Sequence, residues 1–389
     1  MLYYLVQSII VYSVFAYLLY STSSKVSTSE AELAATSKWY YLPKTYWNCV
    51  FIFMLIAGLR YKVGVDHFSY LHDYLDALDG SYEMRERGIE WGYLTNIKLY
   101  SFLHIHPTIY FASLAFLQIF FVVLAFKKNR QVLPYILVVI VLGTYFISWM
   151  NGIRQMIVAC SFLWASQFIV KRDIKHYLIW MAFAYLWHKS SVILILPFAF
   201  IYSRNAWDRK YLCLLIFFVC LCLGNNTYWT SNINQFAQVL EFIGYDHYAE
   251  KLDSLTEAEN LRVLTFGPRM LIVLVTYIIL IINYPSVSKY YNSKRVDLYY
   301  KFAFIGMCGY FLFLNTDILF LRPVQYFEIF TLPMAGFTLY YLKKTGHKLS
   351  FSILFIVSIS FLFFQCYSEY VNGDINAATS LYRFYPFID

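Results

Sequence analysis

Long apolar runs alternate with short polar stretches along almost the whole chain. An α-helix needs about 20 apolar residues to cross the hydrocarbon core of a bilayer, and a shorter run can cross when its flanks lean toward the interface. Because 60% of the residues are apolar and only 14% are charged, we predict an all-α polytopic integral membrane protein with one transmembrane domain over residues 1–389. The pattern predicts about twelve membrane helices, at 3–21, 46–59, 107–126, 131–148, 152–170, 174–187, 189–203, 210–224, 268–284, 297–315, 322–342 and 349–368.

The positive charges indicate how these helices cross the membrane. More than half of the 31 Lys and Arg residues lie in alternate connections between the predicted helices, beginning with the first connection. This marks those connections as cytoplasmic and the N-terminus as external. The net charge of +8 is therefore a topology signal, and we expect no nucleic-acid partner. The seven cysteines lie in or beside apolar runs without C-x-x-C spacing, so we interpret them as small core residues and predict no metal site.

Two of the predicted outer loops are too long to be simple connectors. In the first, 60–106, Leu71, Tyr74 and Leu78 recur at helical spacing, which predicts an amphipathic helix on the outer surface, followed by a second short helix. The second loop, 225–268, is long enough to serve as a lid.

Polar side chains gather at the outer ends of one predicted hairpin, 152–187. Asn151, Arg154 and Gln155 stand at its first end, and His188 and Lys189 stand at its other end. Such groups are costly in hydrocarbon unless they line a wet cavity, so we interpret the two ends as one wall of an active site. The sequence has no nucleotide-binding glycine loop and no G-x-S-x-G motif, so nucleotide-driven transport and hydrolase chemistry have no local support.

The residue types on the outer side suit a phosphorylated sugar substrate. Arginine binds phosphate oxygens bidentately, which predicts a diphosphate site. His188 is a candidate general base, with a packed histidine as the simpler alternative. Asp66 and Glu90 are placed to accept a hydrogen bond from a sugar hydroxyl or to activate it, or else to pair with Arg60. The candidate catalytic residues are His188, Arg154, Asp66 and Glu90; the candidate diphosphate-binding residues are Arg154, Arg269, Arg322, Arg60 and Lys189; the candidate glycan-binding residues are Tyr70, Asn151, Gln155 and Tyr326.

Five short motifs follow one another along the chain. They are Arg60-Tyr61-Lys62-Val63-Gly64-Val65-Asp66 with Tyr70 (R-x-x-x-G-x-D-x-x-x-Y), Glu90-Trp91-Gly92-Tyr93 (E-x-G-[YF]), Asn151-Gly152-Ile153-Arg154-Gln155 (N-x-x-R-Q), His188-Lys189-Ser190 (H-x-S) and Arg322 with Tyr326-Phe327 (R-x-x-x-Y-F). In this order and spacing, over roughly residues 55–330, they resemble the EpsG-like family of membrane proteins, which is grouped with the Wzy-type polymerases of bacterial surface polysaccharide. His67 is a departure, because the family commonly has a small hydroxyl residue there.

The resemblance implies a GT-C-like membrane glycosyltransferase that polymerises polysaccharide. Such an enzyme transfers the nascent glycan from undecaprenyl diphosphate to the next lipid-linked repeat unit, at the outer face of the bacterial cytoplasmic (inner) membrane. It implies no cofactor and no metal. The implied partners are the undecaprenyl-diphosphate-linked oligosaccharide, the lipid bilayer, and chain-length regulator and flippase proteins. The product, O antigen, capsule or exopolysaccharide, stays open.

Two other function classes remain as alternatives. A flippase for lipid-linked oligosaccharide would place functional polar residues at mid-membrane and on both faces, whereas here they crowd one side. A membrane acyltransferase that modifies the polysaccharide would need a catalytic cluster on the cytoplasmic side, where the acyl donor enters.

Overall fold

A computed structural model of the protein describes residues 1–25, 41–80, 90–200, 208–226, 229, 267–316 and 318–386. The predicted second outer loop, 225–268, lies outside these ranges except for its two ends and Trp229. In the described ranges the secondary structure is helical apart from two short strands that pair with each other.

The elements follow one another as a chain of helices with short connections. They are α1 (Leu2–Ser24), α2 (Lys44–Gly58), β1 (Arg60–Tyr61), α3 (His67–Leu78), α4 (Trp91–Phe102), α5 (Pro107–Phe126), α6 (Leu133–Leu142), α7 (Tyr145–Met150), α8 (Ile153–Lys171), α9 (Ile174–Trp187), a 3₁₀ helix (Lys189–Ile195), α10 (Leu196–Phe200), α11 (Lys210–Gly224), α12 (Pro268–Tyr291), α13 (Lys294–Leu312), α14 (Ile318–Glu328), α15 (Thr331–Lys344), α16 (Lys348–Asn372) and β2 (Arg383–Phe384).

Several of these helices have the length and composition of membrane spans. Within the described ranges, α1, α5, α8, α12 and α16 are each long and apolar enough to cross a bilayer. Shorter apolar helices, among them α2, α6 and α11, lie between them. The protein is therefore an all-α membrane protein, as predicted. The number of about twelve spans and the GT-C-like arrangement stay predictions.

Two predicted helices are each divided in two. The prediction 131–148 was wrong because Thr144 has φ +61°, a left-handed conformation that interrupts a helix between α6 and α7. The prediction 322–342 was wrong because Pro333 is the third residue of α15. Proline has no backbone N–H and clashes with the carbonyl four residues earlier, so a helix accepts it most readily in its first turn.

Two further predicted bounds shift. The predicted helix 189–203 follows an extended His188 (φ −160°, ψ 119°) and consists of the 3₁₀ helix Lys189–Ile195 and α10. Its last residues, 201–203, lie outside the described ranges. The predicted helix 268–284 extends to Tyr291, because α12 continues through Pro285. Its last turns are held where Ser288 Oγ donates a hydrogen bond to Asp297 at 2.6 Å.

The chain forms two compact units. The first comprises 1–201 and 332–389, and the second comprises 202–331. In the first unit α5 packs against α2 and α8, α1 packs against α2 and α6, and α8 and α9 form an antiparallel hairpin. In the second unit α13 packs against α11, α12 and α14.

The two strands connect the start of the first predicted outer loop with the C-terminal region. β1 and β2 are antiparallel, with Arg60 opposite Phe384 and Tyr61 opposite Arg383. The backbone N–H of Tyr385 donates to the carbonyl of Leu59 at 2.8 Å, which continues this pairing to the end of α2.

Candidate active site

A buried carboxylate joins the two ends of the α8–α9 hairpin. Glu90 directly precedes α4, and its side chain is only 5% exposed. Its Oε2 lies 2.5 Å from Nη1 of Arg154, and its Oε1 lies 2.7 Å from Nδ1 of His188. Glu90, Arg154 and His188 are hereafter the Glu90 cluster.

The hairpin geometry explains why Arg154 and His188 are neighbours. Arg154 is the second residue of α8, whose start is set by Gly152 at φ +59°. His188 is the first residue after α9. The turn between the two helices is at their opposite end, where Asp173 caps α9 by accepting from the backbone N–H of His176 at 3.2 Å. Because the two helices are antiparallel, the start of α8 and the end of α9 lie at the same end of the hairpin, and the cluster forms there, far from this turn.

The Glu90 carboxylate is ionised in the folded protein. Burial by itself would raise its pKa, but the hydrogen bond from His188 and the positive charge of Arg154 outweigh burial and lower the pKa to about 2. The backbone N–H of Lys189 adds a longer contact to Oε1 at 3.5 Å. Glu90 is therefore a fixed negative charge that accepts hydrogen bonds, and it is a poor base.

His188 has the arrangement of an oriented general base. Because the Glu90 carboxylate accepts only, the neutral imidazole places its proton on Nδ1 and leaves the lone pair of Nε2 available. In the described ranges no hydrogen bond engages Nε2, and the His188 side chain is 15% exposed. A substrate hydroxyl would therefore displace no protein hydrogen-bond partner from Nε2 in the described part of the chain.

Arg154 is held on one side and open on the other. Its guanidinium lies 5.1 Å from the centre of the Tyr93 ring, and it interacts electrostatically with Tyr70. The Tyr70 and Tyr93 rings meet edge to face with their centroids 5.6 Å apart. The Arg154 side chain as a whole stays 30% exposed.

The side chain of Asp66 contacts the backbone beside the Glu90 cluster. Its Oδ2 accepts from the backbone N–H of Gly152 at 3.0 Å, two residues before Arg154. This contact ties the first predicted outer loop to the start of α8. In this geometry Asp66 positions the helix that carries Arg154.

Arg60 lies apart from the Glu90 cluster. Its side chain is fully buried, donates to the carbonyls of Ala57 and Val63, and places its guanidinium 4.6 Å from the centre of the Phe111 ring. Burial lowers its pKa to about 10, and nearby tyrosines partly offset that effect. His67 stacks on the same Phe111 ring at 4.9 Å, and burial followed by the charge of Arg60 lowers its pKa to about 3. We therefore leave Arg60 out of the proposed diphosphate-binding set.

The remaining predicted site residues divide between the two units. In the first unit Asn151 and Lys189 are exposed beside the Glu90 cluster, whereas Gln155 is buried. In the second unit Arg269 is the second residue of α12, and Arg322 and Tyr326 lie on α14. Tyr326 is fully buried. In the described ranges no group of three or more His, Cys, Asp and Glu side chains is arranged to hold a metal.

One further polar contact was missed from the sequence. Glu328, the last residue of α14, accepts a hydrogen bond from the hydroxyl of Tyr277 at 2.8 Å, and the charge of Arg269 acts on it. A single acidic residue between apolar runs was the signal for it, because ionisable residues inside membrane segments are costly and usually have a partner.

Comparison with known proteins gives one match. The model of the EpsG family matches residues 44–384, a range that contains the whole Glu90 cluster. No curated protein and no solved structure matches the chain.

Proposed function

Because the chain belongs to the EpsG family, we propose that it is a membrane polysaccharide polymerase. The proposed reaction transfers a nascent glycan from undecaprenyl diphosphate to the next lipid-linked repeat unit. Its two substrates are thus two lipid-linked oligosaccharides, and the energy comes from the glycosyl diphosphate bond of the donor, with no nucleotide.

The observation that carries this proposal is the Glu90 carboxylate bridging Arg154 and His188. The reaction needs a base for the acceptor hydroxyl and a cation for the diphosphate leaving group. The Glu90 cluster places both groups on one carboxylate, with Nδ1 of His188 on Oε1 and Nη1 of Arg154 on Oε2. The placement of the Glu90 cluster supports the role of base for His188 and the role of diphosphate-binding cation for Arg154.

The proposed step makes one bond and breaks one. The acceptor hydroxyl oxygen attacks the anomeric carbon of the donor's reducing-end sugar, and its proton passes to Nε2 of His188. The bond between that carbon and the diphosphate oxygen breaks, and undecaprenyl diphosphate leaves with the bonding electrons. Arg154 binds the departing oxygens, and Glu90 stabilises the imidazolium that forms on His188.

Further residues complete the proposed site. Lys189, beside His188, is proposed as an additional diphosphate ligand, because the positive-inside rule predicts few cations on the outer side of the membrane. The diphosphate-binding roles of Arg269 and Arg322 stay predictions from the sequence. Asn151 is proposed to bind glycan. Tyr70 is proposed to position Arg154, with which it interacts electrostatically.

The proposal includes the setting of the reaction. We propose that the Glu90 cluster faces the outside of the bacterial cytoplasmic membrane, as the charge distribution predicts. The flippase that delivers the substrate and a protein that regulates chain length are proposed partners. We also propose that catalysis needs no metal.

The test is polymer formation by the purified protein. It would be given a synthetic lipid-diphosphate repeat unit in detergent, without nucleotide and with a chelator, and products would be separated by size. We expect a ladder from the wild type, and none from Arg154→Ala or His188→Ala.

The opposite end of the same hairpin offers a matched control. Asp173 and His176 form another carboxylate–histidine pair at 2.6 Å, and Arg172 is a nearby arginine. Arg172→Ala and His176→Ala should therefore keep the ladder. If folded wild-type protein makes no ladder but moves the lipid-linked unit across proteoliposomes, the flippase alternative replaces the polymerase.

A further inference from the structure

Glu369 accepts several hydrogen bonds near the C-terminal end of α16. Its Oε2 accepts from the backbone N–H groups of Ser380 and Leu381 at 2.7 and 3.1 Å, and its Oε1 accepts from the Thr379 hydroxyl at 3.2 Å. Neither of these N–H groups belongs to a helix or strand, so the carboxylate satisfies donors that no regular structure pairs. The proposed reaction assigns no task to Glu369.

The segment that Glu369 holds, residues 378–385, is hereafter the C-terminal clamp. It packs into the first unit and does not lie on its surface. The hydroxyl of Tyr12 donates to the Ser380 carbonyl at 2.9 Å, the backbone N–H of Tyr382 donates to Ser8 at 2.7 Å, and the Tyr382 hydroxyl donates to the carbonyl of Ile56 at 2.7 Å. The clamp is thus fixed to α1 and α2.

A continuous path of contacts runs from the C-terminal clamp to the Glu90 cluster. The carbonyl of Thr379 accepts from the backbone N–H of Gly64 at 2.9 Å. Two residues further along, Asp66 accepts from Gly152 at 3.0 Å, and Gly152 is the residue before α8. The loop carrying Gly64 and Asp66 is therefore held by the clamp on one side and holds the start of α8 on the other.

We infer that Glu369 is a positioning residue for Arg154, acting through the C-terminal clamp, Gly64 and Asp66. Its carboxylate sets the clamp, the clamp sets the loop 64–66, and that loop fixes the residue from which α8 begins. Arg154 is the second residue of that helix, so its approach to Glu90 depends on this starting point. The kinetic part of this inference rests on the proposed function, whereas its structural part does not.

Two substitutions of Glu369 separate the loss of its hydrogen bonds from the loss of its charge. In Glu369→Gln the amide oxygen can still accept from both backbone N–H groups, and the NH₂ group can donate to the Thr379 hydroxyl. Glu369→Leu removes every one of these contacts. Ser368→Ala is the matched control, since Ser368 is exposed, neighbours Glu369 on α16 and hydrogen-bonds only within its own helix, to Gln365.

The first measurement is hydrogen exchange of the purified full-length protein. In Glu369→Leu we expect the amides of Gly64 and Gly152 to exchange about tenfold faster, as the loss of charge-assisted hydrogen bonds would allow. Glu369→Gln and Ser368→Ala should stay near wild type. Faster exchange confined to 378–385 would overturn the inference. If Glu369→Leu does not fold, Thr379→Val, which removes one contact, should give a smaller change at the same two amides.

The second measurement is polymerisation kinetics. Glu369→Leu should lower kcat about tenfold, in step with its effect on hydrogen exchange at Gly152, and Glu369→Gln should restore it. In an Arg154→Lys background Glu369→Leu should have little further effect, because it acts through Arg154. Full additivity of the two substitutions would refute the positioning role. A wild-type protein that makes no polymer would remove the proposed function and leave the exchange test standing.

Discussion

Glu90→Gln tests the proposed site most sharply, because it keeps the size of the side chain and changes its hydrogen-bonding pattern. Arg154 has only donors, so the amide oxygen of the variant must face Arg154 and its NH₂ group must face His188. Nδ1 of His188 then accepts a hydrogen bond and the ring proton moves to Nε2. The imidazole presents a donor at the point where the acceptor hydroxyl needs a base.

The size of the effect follows from the electrostatics of the site. The pKa of Glu90 is about 2, against an ordinary value of 4.5. That difference corresponds to about 3 kcal/mol of favourable interaction between the carboxylate and its surroundings, chiefly His188 and Arg154. General-base catalysis contributes on the order of 10²- to 10⁴-fold. We therefore expect Glu90→Gln to lower kcat at least about 10²-fold while the donor still binds through Arg154.

The assay compares initial rates of ladder formation by wild type, Glu90→Gln and His188→Ala, each first shown to be monodisperse in detergent. Asp173→Asn is the matched control, because it makes the same chemical change in the Asp173–His176 pair at the other end of the hairpin. If Glu90→Gln keeps most of the wild-type kcat while His188→Ala abolishes it, Glu90 does not set the tautomer of His188 and the reasoning fails.

Two further predictions concern stability, measured as the midpoint of thermal unfolding in detergent. The folded-state pKa of His67 is lowered to about 3, against an ordinary value of 6.5, so the unfolded chain binds more protons between these pH values. The free energy of unfolding of the wild type should therefore fall by about 2 kcal/mol from pH 6.5 to pH 5. His67→Phe keeps a ring against Phe111 and should lose that pH dependence. If the variant and the wild type lose stability equally between these pH values, His67 is not its source. Gly64→Ala should cost at least about 2 kcal/mol, because φ is +92° and the new Cβ would lie 2.4 Å from the carbonyl oxygen of Met150. Gly152→Ala has the same kind of strain but open space around the Cβ, so its cost should be clearly smaller, and equal costs would show that the close approach at Gly64 is relieved easily.

The hydrophobic pattern predicted the class of fold well and the helix breaks poorly. Long apolar runs identify membrane segments because hydrocarbon selects composition over many residues at once. A break depends on one residue, such as Thr144 with its left-handed φ, and it leaves the apolar average unchanged. Pro333 was visible in the sequence, but whether a proline ends a helix or sits in its first turn depends on where the chain packs.

The candidate site was predictable where chain connectivity alone decides proximity. Arg154 and His188 stand at the two ends of one hairpin, so antiparallel packing brings them together. Glu90 comes from a different segment, and the sequence left its role open between a sugar hydroxyl and a pairing with Arg60. The structure places it beside Arg154 and His188. Arg60 has the same sequence signature as Arg154, an arginine at a helix boundary, yet it is fully buried against Phe111.

The net charge of the Glu90 cluster explains why a buried carboxylate suits this reaction. At rest the charges of Glu90 and Arg154 cancel, and the neutral His188 adds none, so the cluster can be largely buried without an unpaired charge. In the proposed reaction His188 takes the acceptor proton, and the cluster becomes positive at the moment that the diphosphate gains negative charge. In a site of low dielectric that change stabilises the transition state more than the bound substrates. An apolar residue at position 90 would remove this effect twice, because it would free Arg154 from its anchor and leave the new imidazolium without a counter-charge.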